Sequence, residues 1–197
     1  MNERGTNKVN AQADEELALA LQGGDEAAYA ELVRRHQGRV FATAYRVTGN
    51  REDALDVAQE ALLKAYYKIN TWKPIGGFLP WLLRLTSNQA IDHLRRRKRQ
   101  PVERLDEAFV PTSAGAAVEP SSMHTEDAVR AGEIDERIRG ALHVLSRHQK
   151  TVFILRHFEG LALADIAVEL GCTTGSVKVH LFRALKKLRV ELKDLMD

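Results

Sequence analysis

Apolar residues recur at spacings of three and four along most of the chain, strand-like alternation is absent, and Gly and Pro gather between the periodic segments. That pattern predicts an all-α protein with helices over about 14–22, 26–48, 51–70, 80–98, 133–145, 147–158, 162–170 and 174–194. The last two form the most informative pair. On a wheel of about 100° per residue, Val177, Leu181, Ala184, Leu185 and Leu188 share one arc, while Ser176, Val179, His180, Arg183, Lys186 and Lys187 lie opposite. Gly171 suits the intervening turn because it tolerates positive φ, and Thr173 suits the cap because its hydroxyl accepts a bond from a free N–H of the first turn. A short helix, a tight turn and a second helix with a polar, basic outer face is the layout of a helix-turn-helix, whose second helix enters the major groove of duplex DNA.

The helix predicted over 51–70 carries a different face. Asn50 and Asp53 mark its start, and Ala54, Ala58, Ala61, Leu62, Ala65 and Ile69 make its inward stripe. Asp53, Asp56, Gln59 and Glu60 group on the other side around Leu63. An apolar residue ringed by acids is either a solvated face with one stray leucine or a docking surface for a basic partner helix, and the residues alone leave both open. Pro74, Gly76 and Gly77 then enforce a loop, and Pro80 fits the first turn of the next helix, where its missing N–H costs nothing. Arg84, Asn88 and Arg95 share one side of that helix, which runs into consecutive cations from Arg95 to Arg99. That run exceeds what helix capping needs, and next to a polar, aromatic-bearing loop it suits a nucleic-acid backbone with an exposed base.

Charge sharpens this division. The net charge of +2 conceals +1 over residues 1–13, +3 over 14–100, −7 over 101–136 and +5 over 137–197. The acidic stretch, rich in Pro, Ser and Ala, buries too little apolar surface to fold alone and reads as a tether between two basic modules. A chain of 197 residues accommodates one domain or two small ones. Its single cysteine, Cys172, forms no internal disulfide, fits a reducing compartment, and reads as a small buried apolar residue in the turn. No apolar run approaches the roughly 20 residues of a membrane span, and the opening residues lack the apolar core of a secretory signal, so a cytoplasmic location is expected. His143, His148 and His157 are the nearest approach to a catalytic or metal-binding set. Their spacings of five and nine share no helical face, and no acid–base pair or Gly-rich phosphate loop accompanies them. No enzyme activity, cofactor or metal is expected.

At this point the motifs resemble a known family, the extracytoplasmic-function (ECF) sigma factors of bacterial RNA polymerase. DVAQEALLKAYYKI (56–69) is similar to the family's second conserved region, FLPWLLRLTSNQAIDHLRRRKR (78–99) to its promoter-melting and −10-reading region, and residues 145–189 to its −35-reading domain. The resemblance implies two helical domains joined by a flexible acidic linker: a tail over 1–13, a region 2 domain over 14–100, the linker over 101–132 and a region 4 domain over 133–197. It implies an alternative sigma factor that binds polymerase core, through a coiled coil of the largest subunit, on Asp53, Asp56, Gln59, Glu60 and Leu63. It places −10 DNA on Lys73, Ile75, Gly76, Gly77, Phe78, Arg84, Asn88, Arg95, Arg96 and Arg97. The −35 duplex falls to Arg156, Thr174, Ser176, Lys178, Val179, His180, Phe182, Arg183, Lys186 and Lys187. An anti-sigma factor is a further implied partner.

Three positions depart from the family pattern. Ser146-Arg147 replaces a usual Leu-Pro pair, although Ser146 with Gln149 makes a capping box. Ala162 stands where a Ser or Thr cap is common, and Val179 replaces a commonly polar residue, leaving it only an apolar contact such as a thymine methyl. Two rival readings are an operator-binding regulator that needs no polymerase and an RNA-binding adaptor.

Overall fold

A computed structural model describes residues 3–99, 137–138 and 140–193, and every regular element among them is helical. The N-terminal half comprises α1 (Glu3–Gln22), α2 (Glu26–Thr48), α3 (Arg51–Lys68) and α4 (Phe78–Arg99), with a 3₁₀ turn at Ile69–Thr71. The C-terminal half enters through a 3₁₀ turn at Leu142–Val144. It continues with α5 (Arg147–Phe153), which widens into a π turn over Ile154–Phe158, then α6 (Leu163–Leu170) and α7 (Thr174–Glu191). The acidic stretch 101–132 lies outside the described residues.

Local chemistry explains most boundaries. Asp25 accepts from Ala27 N–H at 2.9 Å, and Asn50 accepts from both Glu52 and Asp53 N–H, so α2 and α3 begin on satisfied donors. Gly49 and Gly171 close α2 and α6 in the left-handed region, at φ 71° and 62°. Ser146 and Gln149 form the reciprocal capping box of α5, and Thr173 accepts from Ser176 N–H at 3.1 Å to cap α7. Ala162 supplies no side-chain cap to α6.

Some boundaries differ from the sequence reading. α1 begins at Glu3, where a tail was expected over 1–13; a proline-free polar run, with Gly5 only in its first turn, extends the helix that Ala18 and Leu21 anchor in the core. α4 begins two residues before Pro80, which still sits in its first turn. Leu185 is exposed rather than inward, since only Val177, Ala184 and Leu188 of α7 reach full burial. Cys172 is exposed at the tip of the turn, not buried.

Ala18, Leu32, Val40, Ala61, Trp72, Phe78, Trp81 and Leu82 form the main core of the N-terminal half. Two further clusters join the halves. Ile154 of the π turn enters a pocket made by Ala44, Val47, Ala54, Val57, Ala90 and Ile91, and Leu83 of α4 enters one made by Val152, Leu155, Ile166, Ala167 and Val177. Both side chains are fully buried, which contributes about 1.5–3 kcal/mol apiece.

Candidate nucleic-acid interface

The outer face of α7 is built by its cap and its inward stripe. With Val177, Ala184 and Leu188 held in the C-terminal core, helical geometry turns Lys178, Val179, Phe182, Arg183 and Lys186 to solvent, and all five are exposed. Phe182 is 68% exposed, a large apolar ring that the monomer leaves uncovered. Thr174 is exposed beside the cap, while Ser176 is half-buried with its hydroxyl 3.0 Å from that of Thr173. His180 stacks on His148 at 5.9 Å, and Lys187 turns back to donate to the Val144 carbonyl at 3.2 Å. Arg156 is exposed and donates to the Leu161 carbonyl at 2.8 Å, so it is tied to the loop ahead of α6.

On α3, Asp56, Gln59 and Leu63 are exposed, the last at 53%, and an open depression of about 320 Å³ is lined by Glu60, Leu63, Lys64, Tyr67, Lys68 and Gln89. Asp53 and Glu60 are not free members of this face. Asp53 pairs with His93 at 3.0 Å and with Arg97, while Glu60 accepts from the Gln89 amide and pairs with Arg96 at 3.4 Å. Acids of α3 thus neutralise part of the cationic end of α4. Arg95 is exposed beside them.

The loop before α4 holds its shape through buried aromatics. Trp72 donates from Nε1 to the Gly77 carbonyl at 3.2 Å, and Gly77 adopts φ 80°. Lys73 and Ile75 project outward, Ile75 at 75% exposure. Phe78, counted among the strand contacts by the sequence, is only 4% exposed and packs against Trp72, Trp81 and His36. It is the floor of the loop and presents no face to a ligand.

Gly76, Arg84 and Asn88 are brought together, and the C-terminal half lies on them. A Cβ at Gly76 would stand 2.9 Å from Val168 and 2.7 Å from the Glu169 carboxylate. Arg84 donates to Glu169 at 3.1 Å, and the Thr151 hydroxyl donates to Asn88 Oδ1 at 3.1 Å. Burial pushes the Glu169 carboxyl above its ordinary range, against the opposing pull of Arg84.

Known proteins resolve which arrangement this is. Residues 32–100 match the Sigma-70 region 2 family and residues 135–188 match Sigma-70, region 4. The chain is 31% identical over 178 residues to the ECF RNA polymerase sigma factor SigW of Bacillus subtilis, covering 89% of this chain and 94% of that protein. The chain belongs to the ECF sigma factors. It is also 31% identical over 192 residues to the RNA polymerase sigma-H factor of Pseudomonas aeruginosa, covering 95% of this chain and 98% of that protein. The structure of CnrH in complex with the cytosolic domain of CnrY has the same fold, with a TM-score of 0.61 at 25% identity over 92% of this chain and 98% of that one.

This sigma factor is therefore an alternative initiation factor that directs RNA polymerase to promoters. Its region 2 is the N-terminal half and its region 4 the C-terminal half, joined across the Ile154 and Leu83 clusters. Among the described residues, no group of three or more His, Cys, Asp or Glu side chains is placed to hold a metal, and no helix is long and apolar enough to cross a membrane. Two cations of the sigma factor escaped the sequence reading. Arg39 and Arg46 of α2 both reach Glu159 of region 4, and their seven-residue spacing on one helix face was the only available signal.

Proposed function

We propose that this sigma factor, working in the cytoplasm, reads a −35 duplex with α7 and captures opened −10 DNA on the face made by the Lys73–Gly77 loop and α4. The observation that carries this reading is the continuous exposed face of Lys178, Val179, Phe182, Arg183 and Lys186, on a capped helix whose opposite side is locked in a core. Such a helix fits the major groove, where one bidentate contact such as Arg183 to guanine discriminates by about 1–3 kcal/mol. Asp56, Gln59 and Leu63 offer polymerase core an acidic surface around an apolar anchor, while Asp53 and Glu60 hold that surface to α4. The chain performs no chemistry of its own. Binding energy for an unstacked base offsets the few kcal/mol that flipping costs. A sequestering anti-sigma factor acts on the same surfaces in this reading.

Transcription in vitro with purified core, followed by sequencing of transcript starts, tests the whole scheme. Asp56→Arg with Leu63→Ala is expected to weaken core binding at least about tenfold while helical circular dichroism stays unchanged, since both side chains are exposed. Retained core binding would refute the docking surface. Tight, sequence-specific operator binding without core would favour a free-standing regulator instead.

A further inference from the structure

The closed arrangement of regions 2 and 4 contains a built anion site that the promoter-reading residues do not account for. On α2, Arg39 Nε donates to Glu159 Oε2 at 3.2 Å, Thr43 Oγ1 donates to Glu159 Oε1 at 2.8 Å, and Arg46 Nη1 donates to the same Oε1 at 3.1 Å. The guanidinium groups also take main-chain carbonyls, Arg39 that of Glu159 at 3.0 Å and Arg46 that of Phe158 at 3.1 Å. The Glu159 side chain is 1% exposed, and Thr43 beneath it is fully buried. Two guanidiniums and a hydroxyl converging on one anion, in a partly dry site, match the acceptors of a phosphodiester as well as those of a carboxylate.

The site continues the −10 face. Thr151 on α5 covers Asn88, and Glu159 at the end of the following π turn covers the Arg39–Arg46 pair, so one helical stretch of about 12 Å lies over both. Arg84 beside Asn88 is held by a second region 4 carboxylate, Glu169. Arg39, Arg46 and Arg84 therefore each meet a carboxylate that region 4 supplies.

We propose that Arg39, Thr43 and Arg46 form a phosphate cradle for the opened DNA strand, and that Glu159 fills it in cis while regions 2 and 4 are closed on each other. The inference rests on the promoter-reading function above and adds to it a backbone site and a self-blocked state. Polymerase core, by holding the two regions apart, exchanges Glu159 for a strand phosphate, which ties strand capture to core attachment.

The test uses the full chain and a 12-nucleotide mixed-sequence single strand followed by fluorescence anisotropy. Förster transfer between labels at Cys172 and an introduced Gln37→Cys reports closure. Glu159→Gln is expected to lower the transfer and tighten strand binding about tenfold. Adding Arg39→Gln and Arg46→Gln is expected to remove that gain and to flatten the log–log salt slope by about 0.7, the share of one lost phosphate contact on a single strand. Opening without tighter binding, tighter binding that survives loss of both arginines, or a gain seen only with an equally long Glu-rich peptide would each overturn the cradle. Should Glu159→Gln lose its helical circular dichroism, the doubly substituted Arg39→Gln, Arg46→Gln protein bound to core supplies the decision. Its complexes on a preopened template are expected to lose heparin resistance several-fold faster, and an unchanged lifetime overturns the proposal. Failure of the promoter-reading function would appear separately, as absence of core-dependent transcription by the unsubstituted protein.

Discussion

Two carboxylates show how differently the same side chain behaves on and between the halves. Glu31 lies on the surface of α2, where hydrogen bonds from Arg34 and then Arg35 hold its pKa down to about 2. Such an exposed pair adds little stability. Glu169 lies between regions 4 and 2, and there burial raises its pKa more than Arg84 lowers it. The closed molecule thus binds this proton more tightly than an open one would. Its contribution to closure is complete below the ordinary Glu value and is lost as pH rises through the raised value. Carboxyl-carbon NMR titration is expected to place Glu31 well below, and Glu169 above, the usual glutamate range, and opening the molecule should return Glu169 toward it. Residues whose behaviour depends on near neighbours were legible from the chain alone, as at Asn50, Thr173 and the Ser146–Gln149 pair. Phe78, Leu185 and Cys172 were misread because their exposure depends on which distant elements cover them.

At the scale of elements, α7 unites both kinds of constraint. Its cap is local and its inward stripe is amphipathic, so the helix and its basic face follow from periodicity. Thr173→Ala is expected to cost about 1 kcal/mol by leaving the Ser176 N–H without its acceptor, and to lower Tm by about 2–4 °C in calorimetry. The same substitution should weaken −35 duplex binding more than binding of a preopened template, because the cap fixes the start of the helix that carries the groove-facing residues. α4 was legible as a helix with one cationic end, but its electrostatics were not. Asp53 and Glu60, assigned to a partner, spend part of their charge on Arg97 and Arg96, and only the packing of α3 on α4 creates those pairs. The π turn over Ile154–Phe158 had no sequence signature either, yet it delivers Ile154 into region 2 and brings Glu159 to the α2 arginines.

For the whole molecule, closure is an apolar event with an ionic rim. Ile154→Ala is expected to cost about 2–5 kcal/mol, because the region 2 pocket around it is left with a cavity. Its larger consequence is loss of coupling: calorimetry should resolve one cooperative transition into two, and a single sharp transition would show that the regions do not depend on this contact. The chain by itself determined the all-α class, the helix-turn-helix, the two basic modules and the family, because periodicity, capping and charge order are properties of short segments. The tertiary structure alone decided that region 4 covers Gly76, Arg84 and Asn88, and that Glu159 sits between Arg39 and Arg46. Those contacts join residues more than 60 positions apart, and which acid meets which cation is set by how apolar faces pack, a choice that no local pattern in the sequence encodes.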